Sequence, residues 1–293
     1  WEPNLMTGVV HFLDPYRYRS TFHRTNPDLP ETEFSRDYLN HLEEIITYEG
    51  PETIAAILLE TVTGTNGVII PPAGYLNGVR ALCDRYGILL ICDEVMSGFG
   101  RTGKWFAVDH WNVTPDLMTM AKGLTSGYAP LGAVAIRRPI AEYFDQRVFQ
   151  SGLTYTAHPI SLAAAIANIR VMQADRLVEH AAAIAPAFHR MLADLGEQHP
   201  SVGEVRSIGL FGVIELVRDR VTKEPLAPWN SSSPEMAALR KFCLERGLYL
   251  YTHWHTVLII PPLPITEAQL AEGLAILDEA LQITDRAVNE PAV

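Results

Sequence analysis

Two short apolar runs, each ending in charge, constrain this chain more than any other feature. Ile88 to Cys92 leads directly into Asp93 and Glu94, and Leu117 to Met120 leads through Ala121 into Lys122. Runs of this length read as buried strands. Between them lies a glycine-rich loop, Ser97-Gly98-Phe99-Gly100-Arg101-Thr102-Gly103. The runs are continuous rather than alternating, which predicts an α/β fold with a largely parallel sheet covered on both faces. In such sheets ligands bind in the crevice beyond the carboxyl ends of the strands. An acid and an amine delivered to that crevice point to a cofactor.

The flanking sequence supplies the rest of that fold. Residues 1–34 lack periodicity and read as an irregular surface segment. Ser35 is the expected cap of a helix to Glu49, with Leu39, Leu42, Ile45 and Ile46 on one face and Gly50-Pro51 as its stop. Ile54 to Leu59 reads as a strand ending at Glu60. Pro71-Pro72 opens a helix through Tyr86 that Gly87 terminates. Leu131 to Ile136 is a further strand. From Pro159 the pattern changes to alanine-rich helix up to about Met172, then a longer helix to about Leu195. Strands over 203–217, a helix over 234–246, two short strands near 248–251 and 257–260, and a last helix from Thr266 complete it. The expected division is a large domain over 1–170 and a smaller α+β domain, with its connecting helix, over 171–293.

Charge and composition narrow the function. A net charge of −11 argues against a nucleic-acid partner, which calls for a basic surface. No apolar run reaches the roughly 18 residues of a membrane helix. Cys83, Cys92 and Cys243 cannot all pair with one another and show no metal-ligand spacing, so a reducing, cytoplasmic setting without a metal is expected. The chain opens at Trp1-Glu2-Pro3 with no initiating Met, which reads as the middle of a longer protein.

Asp93 and Lys122 carry the chemistry. A carboxylate at a strand end often only caps a loop. It can also pair with a protonated heterocyclic nitrogen, a charge-assisted bond worth about 1.5–3 kcal/mol. Pyridoxal phosphate (PLP) requires such a partner, since its protonated ring is the electron sink. Most lysines are solvated surface charges. Lys122 instead follows an apolar run and precedes Gly123-Leu124-Thr125-Ser126-Gly127, where backbone can approach a ligand closely. A desolvated lysine can condense with a carbonyl.

These residues, taken with others, resemble a known family. Asp93-Glu94-Val95, the Gly98–Gly103 loop, Thr114-Pro115-Asp116 and Ala121-Lys122-Gly123 resemble the signature of class III aminotransferases of PLP fold type I. So do the Asp93-to-Lys122 interval, Gly152 to Pro159 downstream, and Glu60 followed by Gly67 to Pro72. The resemblance implies that Lys122 holds PLP and shuttles the proton. It implies that Asp93 pairs with the pyridine nitrogen and that Val95 packs on the ring. Thr154 would bond the cofactor phosphate from the other subunit of a homodimer. Glu60, Ser126 and Gly127 would lie near the cofactor. Arg101 either braces its own loop or touches substrate, and His158 orders the turn before the 159–172 helix.

The sequence also departs from that family. The upstream Gly-Ser/Thr phosphate turn and the stacking aromatic are not in it, which makes an N-terminally truncated enzyme the expectation. Met96 replaces a polar residue, and Tyr251 stands where many members carry an arginine for the substrate carboxylate. Trp254 and His255 follow closely as residues that shape the pocket, and Tyr251 and Trp254 are the candidate substrate contacts.

The implied reaction is a two-stage, ping-pong transamination from an ω-amino donor such as taurine or β-alanine to pyruvate. Residues 83–136 most resemble the taurine type. Other class III activities (4-aminobutyrate or diamine aminotransferase, aminomutase) and a non-catalytic truncated chain are the alternatives. A dinucleotide-dependent enzyme is disfavoured, because no GxGxxG lies between a strand and a helix.

Overall fold

The computed structural model describes residues 7–22 and 28–289. The irregular segment expected over 1–34 therefore falls partly outside the described residues. Its described part is irregular up to Pro30 but for one short turn of 3-10 helix, Arg17–Arg19, and its last four residues are helical. Helix α1 spans Glu31–Glu49, one turn earlier than expected. Ser35 is not its cap. The hydroxyl donates instead to the Ala73 carbonyl at 2.7 Å, tying the helix to the turn before α2. Helix α2, Tyr75–Tyr86, ends where Gly87 adopts a left-handed conformation (φ 68°), as its sequence requires.

The first sheet runs β1 (Ala56–Glu60), β2 (Leu89–Asp93), β3 (Leu117–Met120), β4 (Ala133–Ile136), in that spatial order. The β1–β2 and β2–β3 pairs are parallel and β3–β4 is antiparallel. Side chains alternate across a strand. Ile57, Leu90 and Cys92 point to one face and pack under Phe34, Tyr38, Leu42 and Ile46 of α1 and Leu76, Val79 and Cys83 of α2. The opposite face is not covered among the described residues: Leu58 is 58% exposed and Val134 57%. The expectation of cover on both faces is corrected here. The register puts Glu60, Asp93 and Thr119 side by side on that open face.

Asp116 locks this sheet to its helix. Its carboxylate accepts from the Leu90 amide (2.8 Å), Arg80 (2.7 Å) and Arg137 (3.0 Å). Burial alone would raise its pKa, but the Leu90 N–H and the two guanidinium groups outweigh it and hold the carboxyl below its usual 3.8. A depressed carboxylate stabilises the fold above the unfolded value and loses that contribution as pH falls through the folded one. Asp116→Asn is expected to cost about 2 kcal/mol in denaturant unfolding at pH 7. The difference from the native chain should shrink below about pH 4, and a gap that stays constant with pH would contradict this assignment.

Two helices, α3 (Arg138–Tyr143) and α4 (Pro159–Ala174), lead into the long α5 (Leu177–Gln198). The second sheet contains β5 (Val202–Ile208), β6 (Phe211–Asp219), β7 (Glu224–Pro225), β8 (Tyr251–His253) and β9 (Thr256–Ile259). Its order is β5-β6-β9-β8, with β7 on β6. Strand β8 begins three residues later than expected. Leu248 donates its amide to Cys243 O (2.9 Å), closing α6 (Pro234–Glu245), and Leu250 turns into the core. Helices α5, α6 and α7 (Glu267–Asn289) bury Phe188, Leu192, Leu239 and Leu277 against Ile214 and Leu216 on one face of β6. Phe211, Val213 and Leu258 pack from the other face against Val62, Val68 and Ala107. The central strand of this sheet is thus covered on both sides and ties the two halves of the chain together.

Candidate active site

Strands β1, β2 and β3 deliver Glu60, Asp93 and Lys122 to one edge of the first sheet. Glu60 and Asp93 are register partners, as are Asp93 and Thr119, and Lys122 lies one turn beyond β3. Adjacent strands lie about 4.8 Å apart, so these side chains form a short row. Asp93 is half-buried, and its Oδ1 accepts the Val95 amide at 2.8 Å. That bond fixes the carboxylate and leaves Oδ2 for a ligand. Val95 is half-buried two residues beyond Asp93. Among the described residues the buried Thr119 hydroxyl has no hydrogen-bond partner.

The backbone holds Lys122 in an unfavourable conformation. Its φ of 40° lies in the left-handed region, which side-chain-bearing residues seldom occupy. Neighbours enforce it. Asn168 of α4 donates to the Gly123 and Leu124 carbonyls at 2.8 and 3.2 Å. A Cβ on Gly123 would stand 2.7 Å from Phe99 Cβ, so glycine is needed for the lysine turn to meet the glycine-rich loop. The lysine is exposed, and its Nζ makes no hydrogen bond among the described residues. Ser126 and Gly127 are exposed beyond it, both with positive φ.

Glu60 Oε2 accepts the Gly64 amide at 2.8 Å. Burial raises its pKa, the Gly64 bond lowers it, the Asp93 and Asp14 charges raise it further and Lys122 lowers it, with a net rise. Met96 packs directly on Gly64 beside this carboxylate, where a polar side chain had been the expected type.

The glycine-rich loop has a structural task. Gly100 lies against Leu263 and Val178, and Gly103 against Ala182 of α5. Arg101 is the brace of that loop: it donates to the Leu210 and Pro261 carbonyls at 2.9 and 2.6 Å, and burial lowers its pKa to about 10. Glu94, next to Asp93, is fully buried and accepts from Ser97 Oγ (2.6 Å), Ala107 N (3.0 Å) and Val108 N (2.9 Å). Sequence reading gave a role to Asp93 and none to Glu94. The clue was their adjacency: neighbouring side chains on a strand must point opposite ways.

The remaining candidates lie elsewhere. Thr154 occupies an exposed turn between Leu153 (78% exposed) and Tyr155 (80%). His158 is the N-cap of α4 without a side-chain capping bond, 6.1 Å from the Tyr155 ring. Tyr251 lines a groove of about 330 Å³ along β8, β9 and α7. Trp254 lines a cavity of about 370 Å³ with Trp229, Tyr16, Arg19 and Asp14. Neither is lined by Lys122 or Asp93. His255 is fully buried with Nε2 3.3 Å from Glu215 Oε1, so it packs inward rather than shaping a pocket. Glu215, also unanticipated, is a hub that gathers Tyr16, Arg19 and Arg206 from distant segments.

The class-III aminotransferase model matches residues 8–281, which include every element of this site. The chain belongs to the class III aminotransferase family. It is 36% identical over 283 residues to the putrescine–pyruvate aminotransferase of Pseudomonas aeruginosa, covering 96% of this chain and 60% of that one. It is likewise 36% identical over 289 residues to the taurine–pyruvate aminotransferase of Bilophila wadsworthia, covering 95% and 62%. The taurine:2-oxoglutarate aminotransferase of Bifidobacterium kashiwanohense, solved with PLP and glutamate, superposes with a TM-score of 0.91 at 41% identity, over 96% of this chain and 62% of that one. The chain thus spans about 60% of the length of the curated relatives it matches. The expected α/β fold of PLP type I and the expected cofactor, PLP, accord with this class III aminotransferase assignment. The residues present fit that group. Among the described residues, Asp93 Oδ2 takes no hydrogen bond and can meet a ring nitrogen, Lys122 Nζ makes no hydrogen bond or ion pair, and the unpaired Thr119 hydroxyl lies beside them.

Proposed function

We propose that this class III chain carries the catalytic lysine of a transaminase that moves nitrogen from an ω-amine to pyruvate. Over the full cycle the donor amine becomes a carbonyl and the keto acid becomes an amino acid. The observation that carries the reading is the delivery of Asp93 and Lys122, on β2 and beyond β3, to the same sheet edge within the family match.

PLP, when bound, supplies the electron sink that lets the amine-bearing carbon release its proton. Asp93 Oδ2 would accept a hydrogen bond from the ring nitrogen, the carboxylate being oriented by the Val95 amide. Val95 would pack against the ring. Lys122 Nζ would hold the cofactor at rest and, when neutral, would take the proton from the donor carbon and return it on the other side of the exchange. The strained turn at Lys122, pinned by Asn168, would keep Nζ aimed during that transfer. The open Leu58–Val134 face and Lys122's own exposure mean that further surface must exclude water from this edge.

Thr154 lies on an exposed apolar stretch with Leu153, Tyr155 and Ile160, which supports its use in the site of a second copy within a homodimer. The cofactor lobe is taken as 1–170 and the second lobe as 171–293. Three buried, unpaired cysteines support a reducing, cytoplasmic setting. Among the described residues no helix is long and apolar enough to cross a membrane.

Borohydride treatment after addition of PLP tests the reading. Peptide mass mapping is expected to find the reduced cofactor on the peptide containing Lys122. Label confined to other lysines, or none in folded protein, would refute it.

A further inference from the structure

We infer that Thr119 is a positioning residue for the cofactor: with the ring seated, its hydroxyl donates to Asp93 Oδ2 and holds that carboxylate charged and aimed at the ring nitrogen. This rests on the proposed roles of Asp93 and Lys122 and deepens them.

The hydroxyl is placed with little freedom. Thr119 and Asp93 are register partners on the parallel strands β3 and β2. The Thr119 carbonyl also accepts the Glu94 amide at 2.9 Å, which fixes the two strands against each other just past Asp93. Register partners share a face, so both side chains stand on the open side of the sheet, one strand spacing of about 4.8 Å apart. Thr119 Oγ1 is nonetheless buried, and it bonds nothing among the described residues.

Of its strand neighbours on that face, only Asp93 can receive the proton. Toward β4 the partner of Thr119 is Val134, and two residues back along β3 is Leu117. Both are apolar. Toward β2 stands Asp93, whose Oδ1 holds the Val95 amide while Oδ2 takes no hydrogen bond among the described residues. Beyond Asp93 the row continues to Glu60, a second carboxylate, whose Oε2 is taken up with the Gly64 amide. A buried donor without an acceptor and a carboxylate oxygen without a donor therefore stand side by side. A carboxylate oxygen has two lone pairs, so Oδ2 can accept from the hydroxyl and the ring nitrogen together. While the site is open, water can satisfy Asp93. A seated ring displaces that water, and rotation about χ1 lets the hydroxyl replace it. A hydrogen bond to the charged carboxylate favours that form, which keeps the shared proton on the ring nitrogen where the electron sink needs it.

The test loads PLP carrying nitrogen-15 in its ring onto the native chain, Thr119→Val and Thr119→Ser. Fluorescence titration gives the cofactor affinity, and the nitrogen-15 chemical shift gives the protonation of the ring. Valine keeps the branched shape and the strand preference but has no hydroxyl. Thr119→Val is expected to bind PLP roughly tenfold more weakly or worse, the range of one hydrogen bond to a charged group. Its ring resonance should move toward that of neutral pyridine, and Thr119→Ser should keep both readings near native. Without cofactor, Thr119→Val should melt no lower than the native chain, since a methyl replaces an unpaired buried hydroxyl. Native affinity, an unmoved resonance or a lower cofactor-free melting point in Thr119→Val would overturn the inference. So would a Thr119→Ser that behaves as Thr119→Val does, because the methyl group would then be what matters. If Thr119→Val does not fold, Thr119→Ala carries the same affinity and resonance readings. If borohydride fixes PLP on Lys122 and Thr119→Val binds as the native chain does, only the role of Thr119 fails. If Lys122 takes no label in folded protein, both readings fail together.

Discussion

A holoenzyme with Lys122 replaced by alanine is expected to turn over its amine donor about 10²–10⁴ times more slowly, the usual contribution of a positioned acid–base group. The argument starts from position. Lys122 Nζ has no ion pair or hydrogen bond among the described residues, so alanine removes no structural contact at that atom. On the proposed role, what would be lost is the proton carrier and the covalent tether of the cofactor. Stability should therefore change little, while exchange of the donor's C–H hydrogen with solvent should slow along with turnover. Lys122→Arg makes a useful second variant, since arginine keeps a charge but cannot give up its proton near neutral pH. Both variants are expected to fail in exchange. Turnover within tenfold of the native rate in Lys122→Ala would remove this lysine from the chemistry.

The positions of that lysine and Asp93 at the ends of strands were legible because the signal was local. An apolar run of strand length followed by a charge places the charge at a strand's carboxyl end, and family motifs repeated the message at Asp93, Gly98–Gly103 and Lys122. Helix stops were legible for a similar reason: Gly87 takes a left-handed conformation that follows from residue type. The cover of each sheet was not legible. Continuous apolar runs suggested burial on both faces, which is true of β6 but not of β1, where Leu58 is exposed. Composition of a strand does not say which neighbours arrive.

Ser35 and β8 failed for another reason. Serine before an apolar stretch resembles a cap, yet its hydroxyl is used on Ala73, 38 residues away in sequence. Leu248 and Leu250 look like strand, yet their first use is to close α6 and fill the core. In each case a tertiary partner outbid a local preference. The Glu215 hub is the extreme instance. Its partners Tyr16 and Arg19 lie 199 and 196 residues away, and no window along the chain contains them together.

Glu94 is expected to support the site from the buried side of the strand rather than from within it. It lies next to Asp93 but faces the other way, fully buried, where it accepts from Ser97 Oγ, Ala107 N and Val108 N. Those three donors come from the start of the glycine-rich loop and from the 3-10 turn that follows it, and the loop in turn seats Phe99 against Gly123 of the lysine turn. Glu94→Ala leaves all three donors buried without an acceptor and opens a cavity. At about 1–3 kcal/mol for each stranded donor, partly relieved by relaxation, a loss of roughly 3–5 kcal/mol is expected. For a chain of this size that corresponds to a fall in Tm of about 10 °C in thermal unfolding followed by circular dichroism. Glu94→Gln should fall between, since one amide oxygen can still accept while its NH₂ confronts a donor. The loop's loss should also loosen the lysine turn, so cofactor retention on dialysis is expected to drop in Glu94→Ala well below its melting point. A shift of less than about 2 °C together with native cofactor retention would show that the loop stands without this carboxylate. The glycines and Arg101 would then carry the connection between the two sheets.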